Sequence, residues 1–191
     1  MEGRDYEIYF SEYKDHVKEI VKNYPEKTRF YSVGGDGFFN QVIQNLVHTN
    51  HGVICLPFGT GNDFSRAIHR QMSPEAILKA TLESKGHRPQ NGLLFNDQVT
   101  LCAFCNGRFY GSKINDGLID MVILPKVNRL FAPYYIYKIL RKDLISCKDV
   151  VVKQVKECVI TTPAAMNLDG EKKEAAKYHL VVQPKSLNLL I

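Results

Sequence analysis

Residues 29–47, RFYSVGGDGFFNQVIQNLV, constrain this chain more than any other stretch. Arg29 to Val33 carries the aromatic and β-branched residues of a short buried strand. Gly34-Gly35-Asp36-Gly37 interrupts it. Phe39, Val42, Ile43, Leu46 and Val47 then recur at i, i+3, i+4, i+7 and i+8, the apolar stripe of a helix. The glycines therefore fall at a strand-to-helix turn, where they permit positive φ and close approach of a ligand to the backbone. The helix start offers N–H groups without partners and the positive end of a dipole, which suits phosphate. Asp36 is the ionised side chain of this turn. A carboxylate facing phosphate is repelled unless a divalent cation or a proton-transfer role accounts for it. A plain helix start, where Asp and Gly are favoured on local grounds, is the competing reading.

The flanking chain repeats the pattern. Tyr6 to Phe10 reads as a strand, and Tyr13, Val17, Ile20, Val21 and Tyr24 as an amphipathic helix that Pro25 ends. Val53 to Leu56 is another strand, closed by Pro57. A second glycine turn follows, Phe58-Gly59-Thr60-Gly61-Asn62-Asp63, and then a helix marked by Phe64, Ala67 and Ile68. Ser73-Pro74-Glu75 is a helix start with cap, proline and early acid, and Ile77, Leu78 and Leu82 carry that helix to about residue 84. Strand alternating with helix predicts βαβ units and a parallel sheet, whose ligands bind beyond the carboxyl ends of the strands. Both glycine turns lie at such ends and are expected to face one crevice. After residue 85 the stretch SKGHRPQNG marks a boundary. Strand-like runs follow at 98–104, 118–124, 150–160, 177–183 and 186–190, with a helix at Tyr134 to Arg141. The fold class is α/β: residues 1–90 an N-terminal parallel-sheet domain, residues 91–191 a reduced antiparallel β-sandwich domain.

Composition bounds the rest. The 191 residues suffice for a real core, with 45% hydrophobic and 24% charged residues. The net charge of +5 fits an anionic ligand or a membrane surface without demanding either. No apolar run is long enough for a transmembrane helix. The N-terminus is polar and acidic, unlike a signal peptide. Five cysteines, an odd number, argue for reduced thiols in a cytosolic compartment. Cys102 and Cys105 have CxxC spacing but lack a second ligand pair, and read as packing residues.

GGDG at 34–37 with its helix, and PFGTGNDF at 57–64, resemble the catalytic domain shared by diacylglycerol, sphingosine, ceramide and bacterial lipid kinases. Lys113-Ile114-Asn115-Asp116-Gly117-Leu118-Ile119-Asp120 resembles that family's DDGLLD-like metal segment. Asn167-Leu168-Asp169-Gly170-Glu171 resembles its LDGE motif. The order of these motifs is that of the family. The resemblance implies a nucleotide domain and a β-sandwich with the active site between them. It implies ATP as phosphate donor, Mg²⁺, and a lipid acceptor at a membrane surface. Gly34, Gly35, Asp36, Gly37, Phe38 and Asn40 would cradle ATP phosphates. Gly59, Thr60, Gly61, Asn62 and Asp63 would form the second phosphate turn, and Ser11 would stand near the nucleotide at a strand end. Asp116, with backbone carbonyls of Lys113 and Leu118, would hold Mg²⁺. Glu171 would be the general base, with Asp169 and Asp36 as the other catalytic carboxylates. The expected protein is cytoplasmic and peripheral at the membrane, takes no nucleic acid, and leaves room for a homodimer.

Three departures accompany the resemblance. The family has GGDGT, and Phe38 stands in the threonine position. An NPxxG-like loop and its strand would precede Met1, and the segment between about residues 90 and 113 is short. An NAD-kinase-like enzyme, whose superfamily shares GGDG, and an inactive nucleotide- or lipid-binding remnant are the competing readings. Locally, Asn115-Asp116-Gly117 and Asp169-Gly170 are also good hairpin turns. The aromatic, basic-ended stretch 129–142 fits a membrane surface or a core helix equally well.

Overall fold

A computed structural model describes residues 5–13, 15–69, 72–84, 88–95, 98–100, 116–124, 126–141, 143–168 and 171–190. The N-terminal helices are α1 (His16–Lys22), α2 (Asp36–Gln44), α3 (Asp63–His69) and α4 (Pro74–Glu83), with strands β1 (Arg29–Gly34) and β2 (Gly52–Pro57) between them. Then come β3 (Arg88–Phe95), β4 (Gln98–Thr100), β5 (Ile119–Ile123), α5 (Ala132–Leu140), β6 (Val151–Val155), β7 (Glu157–Thr161), β8 (Met166–Leu168), β9 (Glu171–Lys173) and β10 (Lys177–Leu189).

β1 and β2 pair in parallel, Arg29 opposite Gly52 through Gly34 opposite Pro57. The period-two alternation of β2 divides its side chains between two faces. Val53 and Cys55 pack with Val17 and Val21 of α1, Phe39, Val42 and Ile43 of α2 and Phe64 of α3. Ile54 and Leu56 pack with Ile77 of α4 and with Leu190. Helices thus cover both faces, which is why β2 reads as an unbroken apolar run. Ser73 caps α4 by accepting the Ala76 N–H at 3.2 Å. At the other end of α4, the Arg29 guanidinium donates to the carbonyls of Thr81 and Ser84 at 3.1 and 2.8 Å, satisfying orphan acceptors of the last turn.

Of the strand-like runs, that at 150–160 divides into β6 and β7, and β8 with β9 forms a pair outside those runs. β5 pairs with β6, β8 with β9, and β7 with β10. Several local expectations change. Residues 6–10 form no strand, and Tyr6, Ile8 and Phe10 are exposed. The alternation there has no partner strand among the described residues, and a strand needs its ladder. The stretch SKGHRPQNG contains residues 88–92 of β3, so the division at residue 90 falls within that strand. Runs 177–183 and 186–190 are one strand. β10 passes through a register shift between Gln183 and Leu187, with Lys185 at φ 51°. β10 pairs with β3 on both sides of this shift; its first part also pairs with β7, and Asn188 and Leu189 also pair in parallel with Gly52 and Val53 of β2. A single six-stranded sheet therefore links the two halves, in the order β1-β2-β10-β3-β4 with β7 also on β10.

Candidate active site

The two glycine turns meet. β1 and β2 end in register at Gly34 and Pro57, so both turns leave the same edge of the sheet. The Phe58 N–H donates to the Gly34 carbonyl at 3.0 Å, one ladder bond beyond the strands. Gly35 and Gly59 are then packed backbone to backbone. A Cβ on Gly59 would sit 2.4 Å from the Gly35 Cα, and one on Gly35 would sit 3.2 Å from the Gly59 Cα. Glycine is required by close approach here, since the obstructing atoms are main chain.

Asn62 folds the second turn. It adopts φ 54°, the left-handed region that Asn tolerates. Its side-chain oxygen accepts the Gly59 N–H at 2.9 Å, and its amide nitrogen donates back to the Gly59 carbonyl. Asp36 ties the turns together. Its Oδ2 accepts the Asp63 N–H at 2.8 Å and its Oδ1 accepts the Phe64 N–H at 3.2 Å. The Asp36 carboxylate, in the first turn of α2, thus caps the start of α3 across the crevice. Below this contact the rings of Phe39 and Phe64 stack at 4.8 Å. The sequence reading assigned Asp36 to chemistry and did not see this tie. The signal was there: a helix start placed beside a turn ending in Asn-Asp leaves N–H groups that need an acceptor.

With the start of α3 occupied, α2 offers the remaining donors. Gly35 precedes it in extended backbone and brings no capping side chain, so the first-turn N–H groups of α2 have no intrahelical partner. Helix N–H groups of this kind can donate to phosphate oxygens. Phe38, in the threonine position, lies over Gly34: its ring would be 3.1 Å from a Cβ added there. It also packs against the α1/α2 core. Asn40 is held by Gln44, whose amide donates to its oxygen at 2.9 Å. Thr60 and Gly61 are exposed on the second turn, and Asp63 pairs with Arg66 at 2.7 Å.

Other expected site residues make local hydrogen bonds or lie outside the described residues. Ser11 is exposed on the unpaired N-terminal segment, its hydroxyl donating to the Tyr13 carbonyl at 3.4 Å. Lys113 and Asp169 lie outside the described residues, as does the side chain of Glu171; the Glu171 backbone opens β9, paired with Leu168 of β8. Asp116 makes the turn that its sequence predicts. Its Oδ1 accepts the Leu118 N–H at 3.0 Å and Gly117 has φ 77°. In the same segment Asp120 accepts from Gln154 at 2.8 Å through Oδ1, while its Oδ2 is buried without a hydrogen-bond partner. An uncompensated carboxylate oxygen suits a hard cation. No group of three or more His, Cys, Asp and Glu among the described residues is arranged to hold a metal.

Two titratable groups near the turns are shifted. Burial, with the Asp36 charge as a lesser cause, pushes the Cys55 thiol up to about 12, so this cysteine stays protonated and inert. Burial holds the His69 imidazole below its ordinary value, favouring the neutral ring.

Residues 1–91 match the diacylglycerol kinase catalytic domain family. A sphingoid long chain base kinase of Schizosaccharomyces pombe is 32% identical over 111 residues, which is 47% of this chain and 24% of that kinase. The chain therefore spans about a quarter of that relative's length. Two solved structures from Bacillus anthracis str. Sterne, assigned as diacylglycerol kinases, share the fold. One has a TM-score of 0.74 at 14% identity, covering 94% of this chain and 84% of that one. The other has 0.68 at 14% identity, covering 93% and 80%. Both glycine turns lie within residues 1–91, the part of this chain that is similar to the diacylglycerol kinase catalytic domain family.

Proposed function

We propose that the chain is the catalytic part of an ATP- and Mg²⁺-dependent lipid kinase that transfers the γ-phosphoryl group to a lipid hydroxyl such as that of diacylglycerol. The observation that carries this reading is the Asp36 tie. It fixes both turns at the carboxyl ends of β1 and β2 and leaves the α2 N–H groups for phosphate. Phosphoryl transfer asks mainly for positioning and charge stabilisation, and such a preorganised anion crevice supplies both.

In this reading the lipid oxygen bonds to the γ-phosphorus as the bond to the β–γ bridging oxygen breaks. Glu171 accepts the hydroxyl proton. Asp36 acts as a positioning residue, since its carboxylate is engaged by two backbone N–H groups. Asp116 and Asp120, with the carbonyls of Lys113 and Leu118, would hold Mg²⁺, whose contribution is to offset phosphate charge. A sphingoid base is the second acceptor to consider, because the curated relative is a sphingoid long chain base kinase.

The test offers labelled ATP and Mg²⁺ with diacylglycerol or sphingosine in mixed micelles, and with NAD in solution. Labelled phosphatidic acid is expected, and Glu171→Gln should lower turnover by about 10²-fold or more while ATP binding is retained. Labelled NADP without labelled lipid makes the chain a nucleotide kinase. ATP binding without transfer to any acceptor makes it an inactive relative.

A further inference from the structure

α5 and the turn before it leave their most apolar side chains in water. Within α5 only Tyr135 is buried, its hydroxyl donating to the Asp149 carboxylate at 2.7 Å and its ring packing with Leu144 and Cys147. Ile136, Tyr137 and Leu140 point the other way, at the i, i+1, i+4 spacing of a second face. The 3₁₀ turn Arg129–Phe131 adds Leu130 and Phe131. Leu130 is 83% exposed, Phe131 60%, Ile136 56% and Leu140 77%. Scattered exposed apolar residues are ordinary, but a contiguous set on one short element marks a contact surface.

Basic residues surround this set, and the carboxylates beside it are engaged. Lys126, Arg129, Arg141 and Lys148 are exposed at its margins. The Arg141 guanidinium donates to the Tyr137 hydroxyl at 2.6 Å and lies 5.5 Å from that ring. The neighbouring carboxylates are already engaged: Asp143 with Lys138 and Asp149 with Tyr135. The face thus has an apolar centre, tyrosines whose hydroxyls reach the edge, and a cationic rim. That sequence of chemistries from centre to rim matches acyl chains, the interfacial zone and anionic headgroups.

We propose that the outward face of residues 129–141 docks on an anionic lipid bilayer. Leu130, Phe131, Ile136 and Leu140 enter the acyl boundary, and Arg129 and Arg141 meet headgroup phosphates. The nine residues of α5 lie along the surface, as no described helix is long and apolar enough to cross it. The choice of a membrane over a protein groove rests on the lipid-kinase reading, because the acceptor of that reaction resides in a bilayer.

The test uses the full chain without nucleotide and phosphatidylcholine vesicles with or without phosphatidylglycerol. Binding is expected, stronger with phosphatidylglycerol and weakened by salt. Ile136→Asp with Leu140→Asp should lower the partition coefficient about tenfold or more. Arg129→Glu with Arg141→Glu should remove the preference for the anionic vesicles. The chain has no tryptophan, so Leu140→Trp supplies a single reporter whose emission should shift to the blue on binding. An unchanged melting temperature in each variant excludes loss of the fold. The proposal is overturned if the intact chain ignores both vesicles or if the aspartate pair binds as well as the parent. It is also overturned if the tryptophan shift follows protein concentration without lipid, which would identify a second copy as the occupant. Transfer to lipid in detergent micelles is read separately. Activity there without vesicle binding sinks the surface alone, and vesicle binding without activity sinks the kinase reading alone.

Discussion

The Asp36 carboxylate accepts the backbone N–H of Asp63 at 2.8 Å, so the side chain of one glycine turn closes the other. The ionised side chain of the first turn is thereby given a structural partner. Its charge is spent on two N–H groups at the start of α3, and the donors of α2 stay available.

Replacing Asp36 tests this division. Asp36→Ala leaves the Asp63 and Phe64 N–H groups without their acceptor and should lower stability by about 2–3 kcal/mol, as for hydrogen bonds to a charged group. Asp36→Asn retains one acceptor oxygen and should recover part of the loss. Urea unfolding of the three proteins gives the order. The same midpoint for alanine and parent would show that the tie contributes nothing.

The glycines should separate into two kinds. A Cβ at Gly59 collides with the Gly35 backbone, whereas one at Gly37 meets open space among the described residues. Gly59→Ala is therefore expected to spread the turns, weakening both folding and ATP binding. Gly37→Ala, inside α2, should gain about 0.5–1 kcal/mol of stability from helix propensity. Thermal melts with and without ATP–Mg²⁺ distinguish these outcomes, and a tolerated Gly59→Ala would contradict the packed-turn geometry.

Phe38 packs against the core where the resemblance places a threonine. Phe38→Thr should cost stability, because the ring leaves the α1/α2 core. It should also uncover Gly34 and add a hydroxyl, strengthening ATP binding by roughly 1 kcal/mol. Calorimetric titration with ATP–Mg²⁺ reads the second effect. Weaker binding in the variant would make the ring itself part of the nucleotide site.

His69 predicts an acid-sensitive fold. Its pKa is lowered from 6.5 by burial, so the unfolded chain takes up the proton more readily. Stability from this group is then level above the ordinary histidine range and falls as pH drops through it. His69→Gln should flatten that part of the curve. Identical slopes for parent and variant in denaturation at successive pH values would refute the buried neutral imidazole.

Much of the architecture was written locally. Glycines between a β-branched run and a 3.6-residue apolar repeat can hardly be other than a strand-to-helix turn, and β1, α2, β2, α3 and α4 follow from such periodicity. The motifs at 34–37 and 57–64 were legible for the same reason, since the turn chemistry and the ligand chemistry reside in the same few residues. Tertiary structure decided the rest. That Gly35 and Gly59 touch depends on the parallel register of Gly34 and Pro57, which no local pattern states. Residues 6–10 alternate like a strand yet pair with nothing among the described residues, because a strand exists only where another edge accepts its ladder. β10 joins both halves since its two stretches, separated by the shift at Gln183 and Leu187, share β3 on one edge but find β7 and β2 respectively on the other. Pairing between segments far apart in sequence is a property of the assembled sheet, and it is what brings Asp36 within reach of Asp63.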